Sequence, residues 1–162
     1  LVQFFSDNIY QLLNILAHGG NRYPIENFVF QENWGQGANL DQESILYKLF
    51  SFTRLAPSVG NLQPWRFLLK EDKIYAFIEF TLKDQFLKSM NDLIGQINNW
   101  KLNYQYFDAG CALSNFSIAS KYLGYHGNWL FVNREYKENK MNELKVSKNI
   151  ELIAVWEKEK VE

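Results

Sequence analysis

The stretch Arg54-Leu55-Ala56-Pro57-Ser58-Val59-Gly60-Asn61-Leu62-Gln63-Pro64-Trp65-Arg66-Phe67 gathers more hydrogen-bonding chemistry than any other part of the chain. Pro57 and Pro64 fix φ at its two ends, Gly60 admits a positive φ between them, and Ser58, Asn61 and Gln63 add short polar side chains. The backbone N–H groups around Val59 and Gly60 complete the donor set. No Cys, His, Asp or Glu occurs in the segment, so it supplies neither a nucleophile nor a general base. It suits a flat ligand rich in heteroatoms that is held by hydrogen bonds and carries the reaction itself. With no ligand, the same residues read as a helix-to-strand connection in which the prolines punctuate. Trp65, Phe67 and Leu69 then alternate as a half-buried strand should.

Other residues with chemical potential have structural readings of their own. His18 stands beside Gly19 at the expected end of a helix, where the macrodipole favours a cation. His126 falls in a surface turn, and Asp108 reads as a helix N-cap. Cys111 is the single cysteine, so an intrachain disulfide framework and a cysteine-rich metal site are both excluded, and a small buried apolar role is expected. The alternating charges of Lys137 to Lys148 and Glu157 to Glu162 read as solvated surface.

The chain has 162 residues, 47% of them hydrophobic, with 17 Lys and Arg against 18 Asp and Glu. That balance describes a globular domain with a sizeable core, and the scattered cations exclude a basic nucleic-acid-binding face. No run approaches the roughly 18 consecutive apolar residues of a membrane span, and no signal peptide is visible, so a cytoplasmic protein without nucleic-acid or membrane partners is expected. Aromatic content is high at 17%, which favours a planar ligand or a partner surface.

The periodicity predicts the elements that must position the polar turn. A first helix is expected over Asp7–Ala17, with Ile9, Leu12, Leu13 and Leu16 on one face and Gly19-Gly20 as its stop. A long connector, 21–39, leads to a second helix over Asp41–Arg54 that buries Ile45, Leu46, Leu49 and Phe50 and delivers the chain into the turn. Strands follow over Trp65–Leu69 and Lys73–Phe80, reversed at Lys70-Glu71-Asp72. Residues 81–101 fit a further helix through Phe86, Leu87, Met90, Leu93, Ile94 and Ile97. A mostly buried helix is expected over Phe107–Leu123, then strands over Gly127–Val132 and Ile150–Trp156. The fold class is α+β, a small mixed or antiparallel sheet flanked by helices.

The turn resembles the nitroreductase family of FMN-dependent oxidoreductases, whose members carry a close variant of A-P-S-x-x-N-x-Q-P-W-x-F after a helix. Asp108-Ala109-Gly110-Cys111-Ala112 and the turn at Leu123-Gly124 are similar to that family's D-x-G-x-A helix and its sequel. Asn21-Arg22-Tyr23-Pro24-Ile25-Glu26-Asn27-Phe28-Val29 is similar to the R-x-P-[LI]-E-E-[LVF]-V tail that closes a nitroreductase domain and brings a cation to the FMN phosphate. Here that tail precedes the A-P-S turn. This order resembles the Thermotoga-type branch, and it implies a single nitroreductase-like domain over 1–162 that forms the second half of a longer two-half protein, with residues upstream of Leu1.

The resemblance implies FMN as cofactor, NAD(P)H as electron donor and a nitroaromatic, quinone or similar planar acceptor. It places Arg22, Pro57, Ser58, Val59, Gly60, Asn61 and Gln63 at the cofactor and assigns no catalytic side chain. The family's N-terminal R-R-S-x-R cluster is absent before Arg54, and a stable phosphate site needs more than one cation. The alternative is therefore a non-catalytic half that keeps the fold and dimerises, or completes a partner, without turnover. Either reading implies association, as a homodimer or with a complementary half, through the Phe107–Leu123 helix and the N-terminal segment.

Overall fold

The structure is a computed structural model that describes residues 21–80 and 104–159. The helices expected over 7–17 and within 81–101, together with His18 and the Gly19-Gly20 stop, lie outside the described residues.

Five strands form one mixed sheet in the order β1-β2-β3-β5-β4. They are β1 (Val29–Gln31), β2 (Trp65–Lys70), β3 (Lys73–Glu79), β4 (Gly127–Phe131) and β5 (Ile150–Lys158). The expected strands are all present. Glu71 and Asp72 both take positive φ, 54° and 58°, which gives the β2–β3 hairpin the tight turn whose twist matches that of its strands. β3 pairs antiparallel with β5, and β5 with β4.

β1 was not expected, being a short run inside what reads as a connector. It pairs parallel to β2 in the register Val29↔Phe67, Phe30↔Leu68 and Gln31↔Leu69. A parallel pair needs a crossover. Here the crossover contains helix α1 (Ile45–Thr53) and the polar turn. Continuing the parallel register toward the N-termini lays the segment around Arg22 alongside the segment around Gly60, which brings two stretches distant in sequence into contact.

Ser44 caps α1, its Oγ accepting from the Tyr47 N–H at 3.1 Å, so the helix begins later than the expected Asp41. Asp41 instead accepts from the Glu43 N–H at 3.0 Å in the approach to the helix. Leu49 and Phe50 are buried as expected, Leu46 is half-buried, and Ile45, expected to be buried, is exposed at the first position of α1.

Helix α2 (Tyr104–Tyr122) starts ahead of the expected Phe107. Asp108 is therefore not an N-cap but a buried residue inside the helix. Ala109, Ala112, Leu113, Phe116 and Ala119 bury one face of α2 against α1 and the sheet, while Phe107, Ile118 and Tyr122 stay exposed. Among the described residues, α2 thus buries one face and leaves the other exposed, rather than being mostly buried. Cys111 is half-buried. Within the stretch Lys137 to Lys148, expected only as solvated surface, residues 137–143 belong to helix α3 (Arg134–Glu143), capped by Asn133; none of its residues is buried, so it presents charge to solvent as the composition implied.

Two apolar clusters sandwich the sheet. One joins Phe28, Val29, Phe67, Ala76, Ala154 and Trp156 to Leu49, Phe50 and Phe116 of the helices. The other places Leu68, Tyr75, Phe77, Leu152 and Val155 under Leu144, Trp34 and Phe30.

Candidate functional site

The polar turn leaves α1 at Arg54 and enters β2 at Trp65. Ala56 is buried and anchors its start, whereas Pro57 and Gly60 face solvent. Ser58 is extended, and Val59–Asn61 form one 3-10 turn in which Gly60 has φ 57°. Asn61 and Gln63 also take positive φ, 54° and 49°. For residues with a Cβ this left-handed conformation costs on the order of 1–2 kcal/mol each, so the surroundings must fix it.

They do so through a dense set of hydrogen bonds. Ser58 Oγ accepts from the Gln63 N–H at 3.0 Å, closing the turn on itself. Arg22 Nη1 donates to Asn61 Oδ1 at 2.6 Å, and Asn61 Nδ2 donates to the Asn21 carbonyl at 2.6 Å. The Tyr23 N–H donates to Gln63 Oε1 at 2.9 Å, while Gln63 Nε2 donates to the carbonyls of Asn21 and Asn61, each at 3.2 Å. Gln63 is 2% exposed, and its amide reaches all these partners without water. From below, the Val59 N–H donates to both carboxylate oxygens of Asp108, at 3.1 and 3.2 Å.

Arg66 braces the exit. Its Nη1 donates to the carbonyls of Gln63 and Trp65, each at 2.7 Å, and its Nη2 pairs with Glu79 at 2.5 Å. The guanidinium also lies 5.8 Å from the Tyr23 ring centre. With its fork occupied, Arg66 is a structural cation.

Arg22, Ser58, Val59, Asn61 and Gln63, singled out from the sequence, are thus in one clasp, with Pro57 and Gly60 on its open surface. Sequence reasoning missed the parts that Asn21, Tyr23, Arg66 and, above all, Asp108 play in holding the turn. A signal for Asp108 existed: it stands at helical spacing with Ala112 and Phe116, on the face of α2 that is buried. His126 is exposed in the turn before β4 and takes no part in the clasp. Among the described residues no cluster of His, Cys, Asp or Glu could hold a metal ion.

Chemically the clasp is a preorganised rim of amides, one hydroxyl and one cation. That set fits the uncharged polar edge of a flavin ring. Arg22 spends one N–H on Asn61 and keeps further N–H donors that a phosphate could take. Ser58, Asn61 and Gln63 use their polar atoms on the chain itself, so their first effect is to hold the backbone of the turn in place.

Among the described residues, the mixed five-stranded sheet and the helices packed on it match the fold of solved nitroreductase structures. Nitroreductase CinD from Lactococcus lactis, solved in complex with 4-nitrophenol, has a TM-score of 0.55 at 15% identity over 85% of this chain and 84% of that one. A nitroreductase family protein from Clostridium novyi NT gives 0.52 at 14% identity, covering 86% of this chain and 80% of the other. An oxidoreductase containing FMN gives 0.50 at 18% identity, over 74% of this chain and 66% of its own. No protein-family model matches the sequence, and no curated protein matches it. At these identities the similarity establishes the fold. No helix among the described residues is long and apolar enough to cross a membrane.

Proposed function

We propose that this chain is an FMN-dependent oxidoreductase of nitroreductase type, passing electrons from NAD(P)H to a nitroaromatic, quinone or similar planar acceptor. The observation that carries the reading is the convergence of Arg22 on Asn61 at 2.6 Å, which joins the tail-like segment to the A-P-S turn in one site. Bound FMN would supply the redox chemistry, taking an electron pair from the nicotinamide and giving it to the acceptor. The chain's own residues position it: Pro57 and Gly60 present the open face of the turn, Val59 and Gln63 fix its backbone, and Ser58 and Asn61 hold the rim that meets the ring. Arg22 faces the phosphate. The exposed Phe107, Ile118 and Tyr122 of α2 support self-association, or pairing with a complementary half, across that helix.

A second reading, a non-catalytic half with this fold, is favoured by the internal pairing of the Ser58, Asn61 and Gln63 side chains. Colour separates the two. Purified protein that carries, or gains with added FMN, the blue and near-ultraviolet absorption of oxidised flavin, and is bleached by NADH or NADPH, fits the oxidoreductase. Protein that is colourless after incubation with excess FMN and removal of the free flavin by gel filtration is the non-catalytic half.

Three substitutions test the residues. Arg22→Ala should weaken FMN far more than riboflavin, because only FMN carries the phosphate dianion, and the difference should shrink at high salt. Equal losses for both ligands, read by fluorescence quenching, would place the phosphate elsewhere. Asn61→Ala and Ser58→Ala should each cost about 1–2 kcal/mol of flavin affinity. Unchanged affinity in both would remove the turn from the cofactor site.

A further inference from the structure

An open pocket of about 560 Å³ is lined by Ile25, Glu26, Asn39, Gln42, Tyr47 and Arg54. Its size is that of a pocket for a small molecule. Tyr47 lies in the first turn of α1 and Arg54 is its C-cap, seven residues on, and the Ala38 N–H ties another part of the lining to β1 by donating to the Val29 carbonyl at 2.9 Å. At Gly37 a Cβ would stand 2.8 Å from the Glu26 carbonyl, so backbone meets backbone closely there.

The polar side chains around this cavity are unspent. Among the described residues, those of Glu26, Asn39, Gln42, Tyr47 and Arg54 make no hydrogen bond or ion pair with another protein group. Arg54 and Tyr47 are half-buried, Glu26 is at the exposed rim, and the two opposite charges do not pair with each other. Ile25 and Ala38 are buried and form an apolar wall between them. We propose that this cavity binds a small zwitterion of the amino-acid class, its carboxylate on Arg54 and the Tyr47 hydroxyl and its ammonium on Glu26. A guanidinium accepts a carboxylate in a bidentate fit, and the Glu26 carboxylate is the complementary partner for the ammonium. A phosphate dianion suits the cavity less well, since it would meet one cation and the repulsion of Glu26. An apolar ligand would leave the polar groups of the lining unpaired.

The site is independent of the flavin reading, and its test needs no flavin. Calorimetric titration of the full chain with L-leucine, L-phenylalanine, L-glutamine and L-lysine should give saturable binding of at least one. For that amino acid, the C-terminal amide, the N-acetyl derivative, Arg54→Gln and Glu26→Gln should each weaken binding about tenfold or more, as loss of a charge-assisted pair requires. Glu26→Gln should also abolish the difference between the free and N-acetylated forms. Because Glu26 is an exposed rim residue, that comparison stands even if Arg54→Gln fails to fold. No saturable binding of any of the four, binding indifferent to Glu26→Gln, or tighter binding of adenosine monophosphate than of all four would overturn the proposal.

Discussion

Replacing Phe116 by alanine is expected to lower the stability of the folded chain by about 3–5 kcal/mol, the usual cost of emptying a phenyl ring's place in a closed core. The ring is 0% exposed. It meets Phe50, Phe67, Trp129 and Trp156 at centroid distances of 5.7, 6.5, 5.0 and 4.9 Å, so from α2 it touches α1 and three strands, β2, β4 and β5, at once. The surrounding side chains are themselves large rings held by the sheet, which limits how far the site can collapse. Urea unfolding followed by tryptophan fluorescence measures the loss, because Trp129 and Trp156 border the cavity that would form. Asn139→Ala on the exposed surface of α3 is the internal control and should stay within about 0.5 kcal/mol of the parent. A loss below about 1 kcal/mol for Phe116→Ala would mean that this aromatic cluster is not the packed centre of the fold.

Asp108→Ala should cost about 1.5–3 kcal/mol, the range for a hydrogen bond to a charged group, and should loosen the turn as well. The carboxylate is 5% exposed and takes the Val59 N–H on both oxygens, so truncation leaves a sheltered amide without its acceptor. Asp108→Asn retains one acceptor oxygen and should lose less. Amide hydrogen exchange at Val59 is the site-specific readout: it should accelerate in the alanine variant well beyond the change at Leu152, in the centre of β5. Parent-like exchange at Val59 together with parent-like stability would show that Asp108 does not hold the turn. A positioning effect also predicts that flavin affinity falls with Asp108→Ala although this side chain belongs to α2 and lies beneath the turn.

The sequence by itself determined the local elements with strong periodicity. Trp65–Lys70 and Lys73–Glu79 follow from alternating apolar residues around a reversal at Glu71-Asp72, and the apolar spacing of Leu49, Phe50, Ala112 and Phe116 marks the buried helix faces. The turn's proline, glycine and short polar residues also announced a backbone that departs from helix and strand, and the observed φ of Gly60 and Asn61 follows from them. What the sequence left undetermined depends on pairing between distant segments. β1 is too short for any period to register, and only its parallel docking against β2 gives it an identity. That docking, in turn, carries Asn21, Arg22 and Tyr23 onto Asn61 and Gln63, a contact that no local propensity encodes. Asp108 shows the same limit in a single residue: at the edge of an apolar pattern an acid reads as a cap, and only burial against a turn some fifty residues away turns it into the acceptor for Val59. Local composition specifies φ, ψ and the apolar face, but register across a parallel crossover is settled by the packing of the whole sheet, and the candidate site is built on that register.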